Sequence, residues 1–204
     1  MIEGVAAVDN RQHEIILKWQ LFAEFGNLTP LHHGTFQSAY DYARALGYET
    51  TASVFDVESC FFLARFNVPF VKLACIPDLY DLADNSGFGY WNDPLVISVP
   101  DSETFTALRD EGREHLLCCI REYPADEGAY RDIFGEWLDY GISDHTEHGD
   151  FVYSNSPKIY ERHFCLDGQT GPDTGEWALR PNDLRQVLED IEARSGATYK
   201  SSHD

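Results

Sequence analysis

The fold prediction depends chiefly on YETTASVFDVESCFFLARFNVPFVKLACIP, residues 48–77. Its first eight residues are β-prone. A helix is predicted to begin at a cap at Ser53 or Asp56, because apolar residues such as Val57 and Cys60 recur at helical spacing. The segment PFVKLACI, residues 69–76, is the clearest strand pattern in the chain, and a proline ends it. The stretch therefore predicts a strand, a helix and a strand in succession.

Helices are predicted at both ends of the chain. Apolar residues at helical spacing favour a first helix over residues 10–25, and a second helix follows at residues 37–46. Between them LTPLHHGT, residues 28–35, is predicted as a short strand. A final helix is predicted to begin after Pro181 and to end at Gly196.

The middle of the chain contains several short strand patterns and two helical patterns. The loop ADNSGFGYWNDP covers residues 83–94. One helix is predicted to be capped by Ser102 and to contain Phe105 and Leu108, and another is predicted over residues 125–138. The remaining segments are predicted strands: LVISV, HLLCCI, DFVYSN and ERHFCL. Because these strands do not alternate strictly with helices, a doubly wound parallel sheet is disfavoured. We predict one α+β domain over residues 1–204, with small mixed or antiparallel sheets flanked by helices.

Charge excludes several classes of partner. The chain has 35 acidic and 15 basic residues, and its formal net charge is −20. Such a charge repels the phosphates of nucleic acid, so direct binding to a DNA backbone is not expected. No signal peptide and no membrane span are predicted, so we expect a cytoplasmic protein that does not bind membranes. The five cysteines are odd in number and lie in apolar runs, which predicts reduced, buried thiols.

One motif resembles the opening of a known enzyme superfamily. The segment PLHHGTFQSAYDYARALGY, residues 30–48, is similar to the strand-end His-Gly-Ser/Thr motif of the ADP-ribosyltransferase superfamily. The resemblance implies that NAD is bound as a substrate and that a macromolecular acceptor is modified. The NAD-binding residues that it implies are His32, His33, Gly34, Thr35, Tyr48 and Ser53. The alternative is that the two imidazoles only complete a strand and a turn.

The same resemblance implies a catalytic glutamate. Cleavage of the nicotinamide–ribose bond passes through an oxocarbenium-like state that a carboxylate stabilises. Glu114, which precedes the predicted strand HLLCCI, is the best match, and Glu136 and Glu161 are the alternatives.

Two other groups of residues are candidates for chemistry. The segment DHTEHGD contains two histidines and three carboxylates, the ligand types that divalent metals accept. In so acidic a chain we interpret it as a solvated loop, and no metal site is predicted. Cys60 with a histidine at 115, 148 or 163 would resemble a thiol hydrolase, but its apolar surroundings favour a core thiol.

The alternative to an enzyme is an acidic interaction protein. Exposed carboxylates and aromatic segments favour binding to a basic protein partner. An immunity protein, an inhibitor and a nucleic-acid mimic are the examples of that class.

Overall fold

The structure is a computed structural model. It describes residues 1–80, 94–151, 155 and 157–200, without the side chains of 194–200. The described chain forms two compact units. One contains residues 15–117, and the other contains residues 1–14 and the chain from 118 onward. The expected single domain over residues 1–204 stays a prediction.

The chain begins with helix α1 (Ile2–Ala6), and the unit of residues 15–117 then repeats a strand-and-helix pattern. Its strands pair in chain order, β1 with β2, β2 with β3 and β3 with β4, and each pairing is parallel. The strands are β1 (Ile16–Leu21), β2 (Glu49–Val54), β3 (Val71–Leu73) and β4 (Leu95–Val99). The helices are α2 (His33–Ala45), α3 (Val57–Leu63), the 3₁₀ segment Pro77–Leu79 and α4 (Ser102–Asp110).

Side-chain caps determine where these helices begin. Asp56 accepts a hydrogen bond from the Ser59 amide at 2.7 Å, and Asp101 accepts one from the Thr104 amide at 2.8 Å. Each carboxylate satisfies an amide that has no partner within the first helical turn, which stabilises the helix start.

The second unit has the same pattern. The pairings of β5 with β6, β6 with β7 and β7 with β8 are parallel. The strands are β5 (His115–Cys119), β6 (Gly141–Asp144), β7 (Ile159–Phe164) and β8 (Ala178–Leu179). Only the last two residues of β5 belong to this unit. The helices are α5 (Glu127–Phe134), the 3₁₀ segment Gly135–Asp139 and α6 (Pro181–Lys200).

Buried Tyr130 connects the helical layer of this unit to its strands. Its hydroxyl donates to the Ser143 carbonyl at 2.6 Å and accepts from the Ile120 amide at 3.2 Å. Burial raises the pKa of Tyr130, so the hydroxyl keeps the proton that it donates. The bond fixes the backbone of β6 at a residue of the candidate site.

The predicted α+β class with mixed or antiparallel sheets is wrong. The strands pair in parallel and helices separate them, which is the β/α pattern. Residues 10–25 contain β1 instead of a helix, and the segment LHHGT opens helix α2 instead of forming a strand. Strand β6 was not predicted at all. The predicted loop, apart from Pro94, and residues 152–154 of the predicted strand DFVYSN lie outside the described residues.

The cysteine prediction is confirmed, because all five thiols are free and buried. Among the residues that the structure describes, no helix has the length and apolarity needed to cross a membrane.

The aromatic core of the first unit provides a test of its packing. Phe36 is fully buried, and its ring lies 5.6 Å from that of Phe62 and 5.0 Å from that of Phe66. We expect Phe36→Ala to lower the free energy of unfolding by about 3–5 kcal/mol, because it removes a buried ring and leaves a cavity. Denaturant titration measures this change.

Phe61→Ala is the matched control, since 62% of Phe61 is exposed. We expect it to cost less than about 1 kcal/mol. Equal costs for the two substitutions would contradict the assigned core.

Candidate active site

Polar side chains meet where strands β6 and β7 run side by side. The parallel register places Ser143 opposite Glu161, and the Ser143 hydroxyl donates to Glu161 Oε1 at 2.6 Å. His145, directly after β6, brings its Nε2 to 3.4 Å from the same hydroxyl oxygen. The Ser143 hydroxyl thus lies within hydrogen-bond distance of both a carboxylate and an imidazole, an arrangement that suits proton transfer.

The buried ring of His145 has one defined orientation. Its Nδ1 lies 2.6 Å from the Ile120 carbonyl oxygen, and a carbonyl only accepts hydrogen bonds. The proton therefore resides on Nδ1, and Nε2 presents its lone pair towards Ser143. The pKa of His145 is lowered to about 4, chiefly by burial and also by neighbouring His163. The imidazole is neutral at physiological pH and can act as a base or a ligand.

His163 on β7 contributes a second imidazole. Its ring centroid lies 5.4 Å from that of His145, and its Nδ1 lies 3.2 Å from Asp173 Oδ1. Tyr123 contacts both histidines at centroid distances of 4.2 and 5.7 Å, and its ring lies 5.7 Å from that of Trp177. These aromatic rings provide an apolar border beside the two imidazoles.

The opposite face of the same two strands carries a buried ion pair. Side chains alternate across a strand, so Asp144 and Arg162 face away from Ser143 and Glu161. Arg162 Nη1 lies 2.9 Å from Asp144 Oδ2, and the two side chains are 3% and 0% exposed. Tyr160 also donates to Asp144 Oδ2, at 2.8 Å. The polar site thus has a second polar layer behind it.

The unit of residues 15–117 has a separate polar group built on lysines. Lys72 on β3 is only 2% exposed, and its Nζ donates to Ser98 Oγ on β4 at 2.6 Å. Lys18 on β1 donates to Ser53 Oγ on β2 at 3.4 Å. Two of the four lysines in the chain therefore point their ammonium groups at serine hydroxyls within this sheet. Ammonium and hydroxyl groups together are suited to binding a phosphate or carboxylate.

The described residues contain no group of three or more His, Cys, Asp or Glu side chains arranged to hold a metal ion. His145 and His163 are the pair best suited to supply nitrogen ligands. Each has its Nδ1 next to an oxygen atom, and this arrangement orients metal-binding imidazoles in proteins.

The residues of the His-Gly-Thr motif lie at the start of α2. His32 is the N-cap, and its Nδ1 accepts from the Gly34 amide at 3.1 Å. His33 is exposed and stacks on Phe62 at 3.7 Å, and Thr35 is exposed in the first turn.

The other sequence-predicted residues are spread over the chain. Glu114 is exposed just before β5, and Glu136 is exposed in the 3₁₀ segment. Tyr48 is buried before β2, and Ser53 contacts Lys18. Glu161, an alternative catalytic residue, is the carboxylate that lies beside Ser143 and His145.

Sequence reasoning missed the nature of the segment DHTEHGD. It is not a solvated loop throughout, since Asp144, His145 and Thr146 are buried. The signal was the regular spacing of Ser143 and His145, with Glu161 and His163 in the same spacing on β7. The nucleophilic alternative at Cys60 is unsupported, because burial raises the pKa of this thiol to about 12.

Comparison with known proteins identifies the family. The model of the NeuB family matches residues 9–202, nearly the whole chain. The chain belongs to the NeuB family. It is also similar to the N-acetylneuraminate-9-phosphate synthase of Drosophila melanogaster, with 28% identity over 166 residues. That match covers 72% of this chain and 44% of the relative, so the chain spans less than half of the relative's length.

Solved structures show the fold. An N-acetylneuraminic acid synthetase from Leptospira borgpetersenii matches with a TM-score of 0.70 and 20% identity, covering 95% of this chain and 76% of the other. The spore coat polysaccharide biosynthesis protein SpsE of Bacillus subtilis matches with a TM-score of 0.70 and 19% identity, covering 98% and 64%. These matches place the chain among TIM-barrel-like β/α folds.

The family match overturns the functional predictions made from the His-Gly-Thr motif. The resemblance to ADP-ribosyltransferases is wrong, and so is the assignment of NAD as substrate. The predictions of a macromolecular acceptor and of an acidic inhibitor, immunity protein or nucleic-acid mimic with a basic protein partner are wrong as well. The motif itself caps and opens helix α2.

The lowered pKa of His145 predicts a pH-dependent stability. The folded pKa of about 4 lies below the value of about 6.5 in an unfolded chain. The unfolded state therefore takes up a proton first as pH falls, and stability is lost between about pH 6.5 and pH 4. We expect His145→Gln to reduce the loss of unfolding free energy between pH 7 and pH 4.5 by about 2 kcal/mol.

His148→Gln is the control, because the His148 side chain is 74% exposed. We expect it to leave the pH dependence of unfolding unchanged. Identical pH profiles for wild type and His145→Gln would contradict the buried, neutral imidazole.

Proposed function

We propose that this NeuB-family chain forms a carbon–carbon bond between phosphoenolpyruvate and a small sugar aldehyde, yielding a sugar acid of the sialic acid type. The observation that carries the proposal is the family match over residues 9–202, whose relatives include a synthase of N-acetylneuraminate 9-phosphate. An N-acylated hexosamine in its open-chain form is the proposed sugar.

The proposed reaction balances without a redox partner. Carbon 3 of phosphoenolpyruvate attacks the aldehyde carbon, and the aldehyde oxygen takes up a proton to become a hydroxyl. Water adds at carbon 2, and inorganic phosphate leaves as the keto group forms. The reaction needs a group that binds the phosphate and carboxylate, a proton donor at the aldehyde oxygen and a base for the water.

Lys72 and Lys18 are proposed to bind the anionic substrate. The whole chain carries a net charge of −20, which repels phosphoenolpyruvate at long range. Binding therefore requires concentrated local positive charge, and the lysine–serine contacts of β1 to β4 supply it. Of the NAD-binding residues implied by the sequence motif, Ser53 alone enters this proposal.

Ser143, His145 and Glu161 are proposed to manage the protons. Glu161 accepts from the Ser143 hydroxyl, and the lone pair of His145 Nε2 faces the same oxygen. Glu161 is suited to activate water, because an ionised carboxylate held by a hydroxyl acts as a base. A divalent cation bound by the imidazoles of His145 and His163 would polarise the sugar aldehyde.

We also propose a cytoplasmic location. Five free, buried thiols fit a reducing compartment, since disulfides form in oxidising ones. Phosphoenolpyruvate is an intracellular metabolite, which fits the same location.

Glu161→Gln tests the proposed base. The amide keeps the shape of the side chain but does not accept a proton from water, so we expect kcat to fall by on the order of 10²-fold or more. Phosphate release from phosphoenolpyruvate in the presence of N-acetylmannosamine measures the rate. Glu189→Gln on the exposed face of α6 is the control and should retain full activity. Full activity of Glu161→Gln would remove Glu161 from the mechanism.

Lys72→Met tests the proposed anion site. The apolar side chain fills similar space but carries no charge, so we expect the affinity for phosphoenolpyruvate to fall by about 10²-fold, or about 3 kcal/mol. Isothermal titration calorimetry measures the dissociation constant. Lys158→Met is the matched control, because Lys158 lies over the ring of Tyr140 in the other unit. Equal affinities for wild type and Lys72→Met would contradict the assignment.

A further inference from the structure

Arg162 connects strand β7 to the residues on both sides of His145, through the Asp144 side chain before it and through backbone carbonyls after it. Its Nη1 donates to Asp144, the residue before the histidine, at 2.9 Å. Its Nη2 donates to the carbonyl oxygens of Thr146 and Glu147, the two residues after the histidine, at 2.7 and 2.9 Å. One guanidinium group therefore holds the chain segment from which the His145 ring projects.

Residues 144–149 have a backbone conformation that accommodates this guanidinium. Asp144 Oδ1 accepts from the amide and the hydroxyl of Thr146, at 2.8 and 2.7 Å, which closes a tight turn around His145. Gly149 has a positive φ of 71°, and a Cβ at this position would collide with Arg162 Nη1 and lie 2.9 Å from the Tyr160 hydroxyl. Glycine is therefore needed both for the backbone conformation and for the close approach of the guanidinium.

We propose that Arg162 is a positioning residue for the reaction, which keeps the His145 imidazole in its single productive orientation without touching the substrate. The proposal adds a residue to the proposed active site. Its predicted effect on kcat rests on the proposed function. Orientation matters because a small displacement of a catalytic group costs a large factor in rate. The His145 ring has a bond to the Ile120 carbonyl only while its backbone stays in place.

Lysine cannot replace arginine in this role. Arg162 reaches a carboxylate and two carbonyl oxygens at the same time because its guanidinium is a flat fork with donors in fixed directions. A lysine keeps the charge opposite Asp144 but offers a single nitrogen. Arg162→Lys therefore separates the positioning role from simple neutralisation of the buried carboxylate.

The test compares Arg162→Lys with Val187→Ala, a core substitution in helix α6 of the same unit. Val187→Ala lowers stability without altering the polar site. Kinetics with phosphoenolpyruvate and N-acetylmannosamine give kcat and KM, well below the melting temperature of each protein. Two-bond ¹H–¹⁵N NMR spectra at pH 8 report the imidazole tautomers, and His145→Gln identifies the signal of His145.

In wild type and in Val187→Ala we expect a single Nδ1–H tautomer for His145 and similar kcat values. In Arg162→Lys we expect mixed tautomers and a 10- to 100-fold lower kcat, with both KM values within about twofold. An unchanged tautomer in Arg162→Lys overturns the proposal, whatever its kcat. An unchanged kcat overturns it as well, and so does an equal loss of kcat in Val187→Ala.

Two further outcomes of the experiment are interpreted as follows. If wild type forms no product, the proposed function fails, and the tautomer comparison alone decides the role of Arg162. If Arg162→Lys does not fold, Gly149→Ala replaces it, since the added methyl displaces the guanidinium and leaves all charges in place. A single tautomer in that variant overturns the role.

Discussion

The buried ion pair between Asp144 and Arg162 is the interaction on which the candidate active site depends. A buried pair is stabilising only when hydrogen bonds satisfy the remaining donors and acceptors, because both charges lose their hydration. Asp144 meets this condition, since it accepts from Arg162, from Tyr160 and twice from Thr146. Asp144 and Arg162 are also paired with each other in the register of β6 and β7. Their pairing therefore also determines which residues face each other on the opposite side of the strands.

The proposed chemistry lies on that opposite side. With Asp144 paired to Arg162, Ser143 comes opposite Glu161, and the two histidine rings follow in the same alternation. His145 is neutral because it is buried, and its orientation is fixed by a carbonyl that accepts from Nδ1. The site thus follows from strand pairing, and the charged layer behind it is the structural support of the reactive layer.

Residues 48–77 were predictable because each local signal agrees with the fold: a β-prone segment, an aspartate cap at position 56 and an apolar strand. Strand β1 was mistaken for a helix because Ile15, Ile16, Trp19 and Phe22 fall by coincidence at helical spacing. Strand β6 has four residues, among them glycine and aspartate, which are poor strand formers. Without these two strands the alternation of strands and helices was hidden. The burial of Asp144 depends on Arg162, 18 positions away, and such a pairing leaves no local signal.

The proposed function is that this member of the NeuB family joins an enolpyruvyl group to a sugar aldehyde. The most direct test is ¹³C NMR of a reaction between the protein, phosphoenolpyruvate labelled at carbon 3 and N-acetylmannosamine. We expect that the vinyl signal disappears and that the label appears as a methylene carbon bonded to a carbinol carbon of the product. A label that stays in the vinyl group, or that appears only in the methyl group of pyruvate, would contradict it.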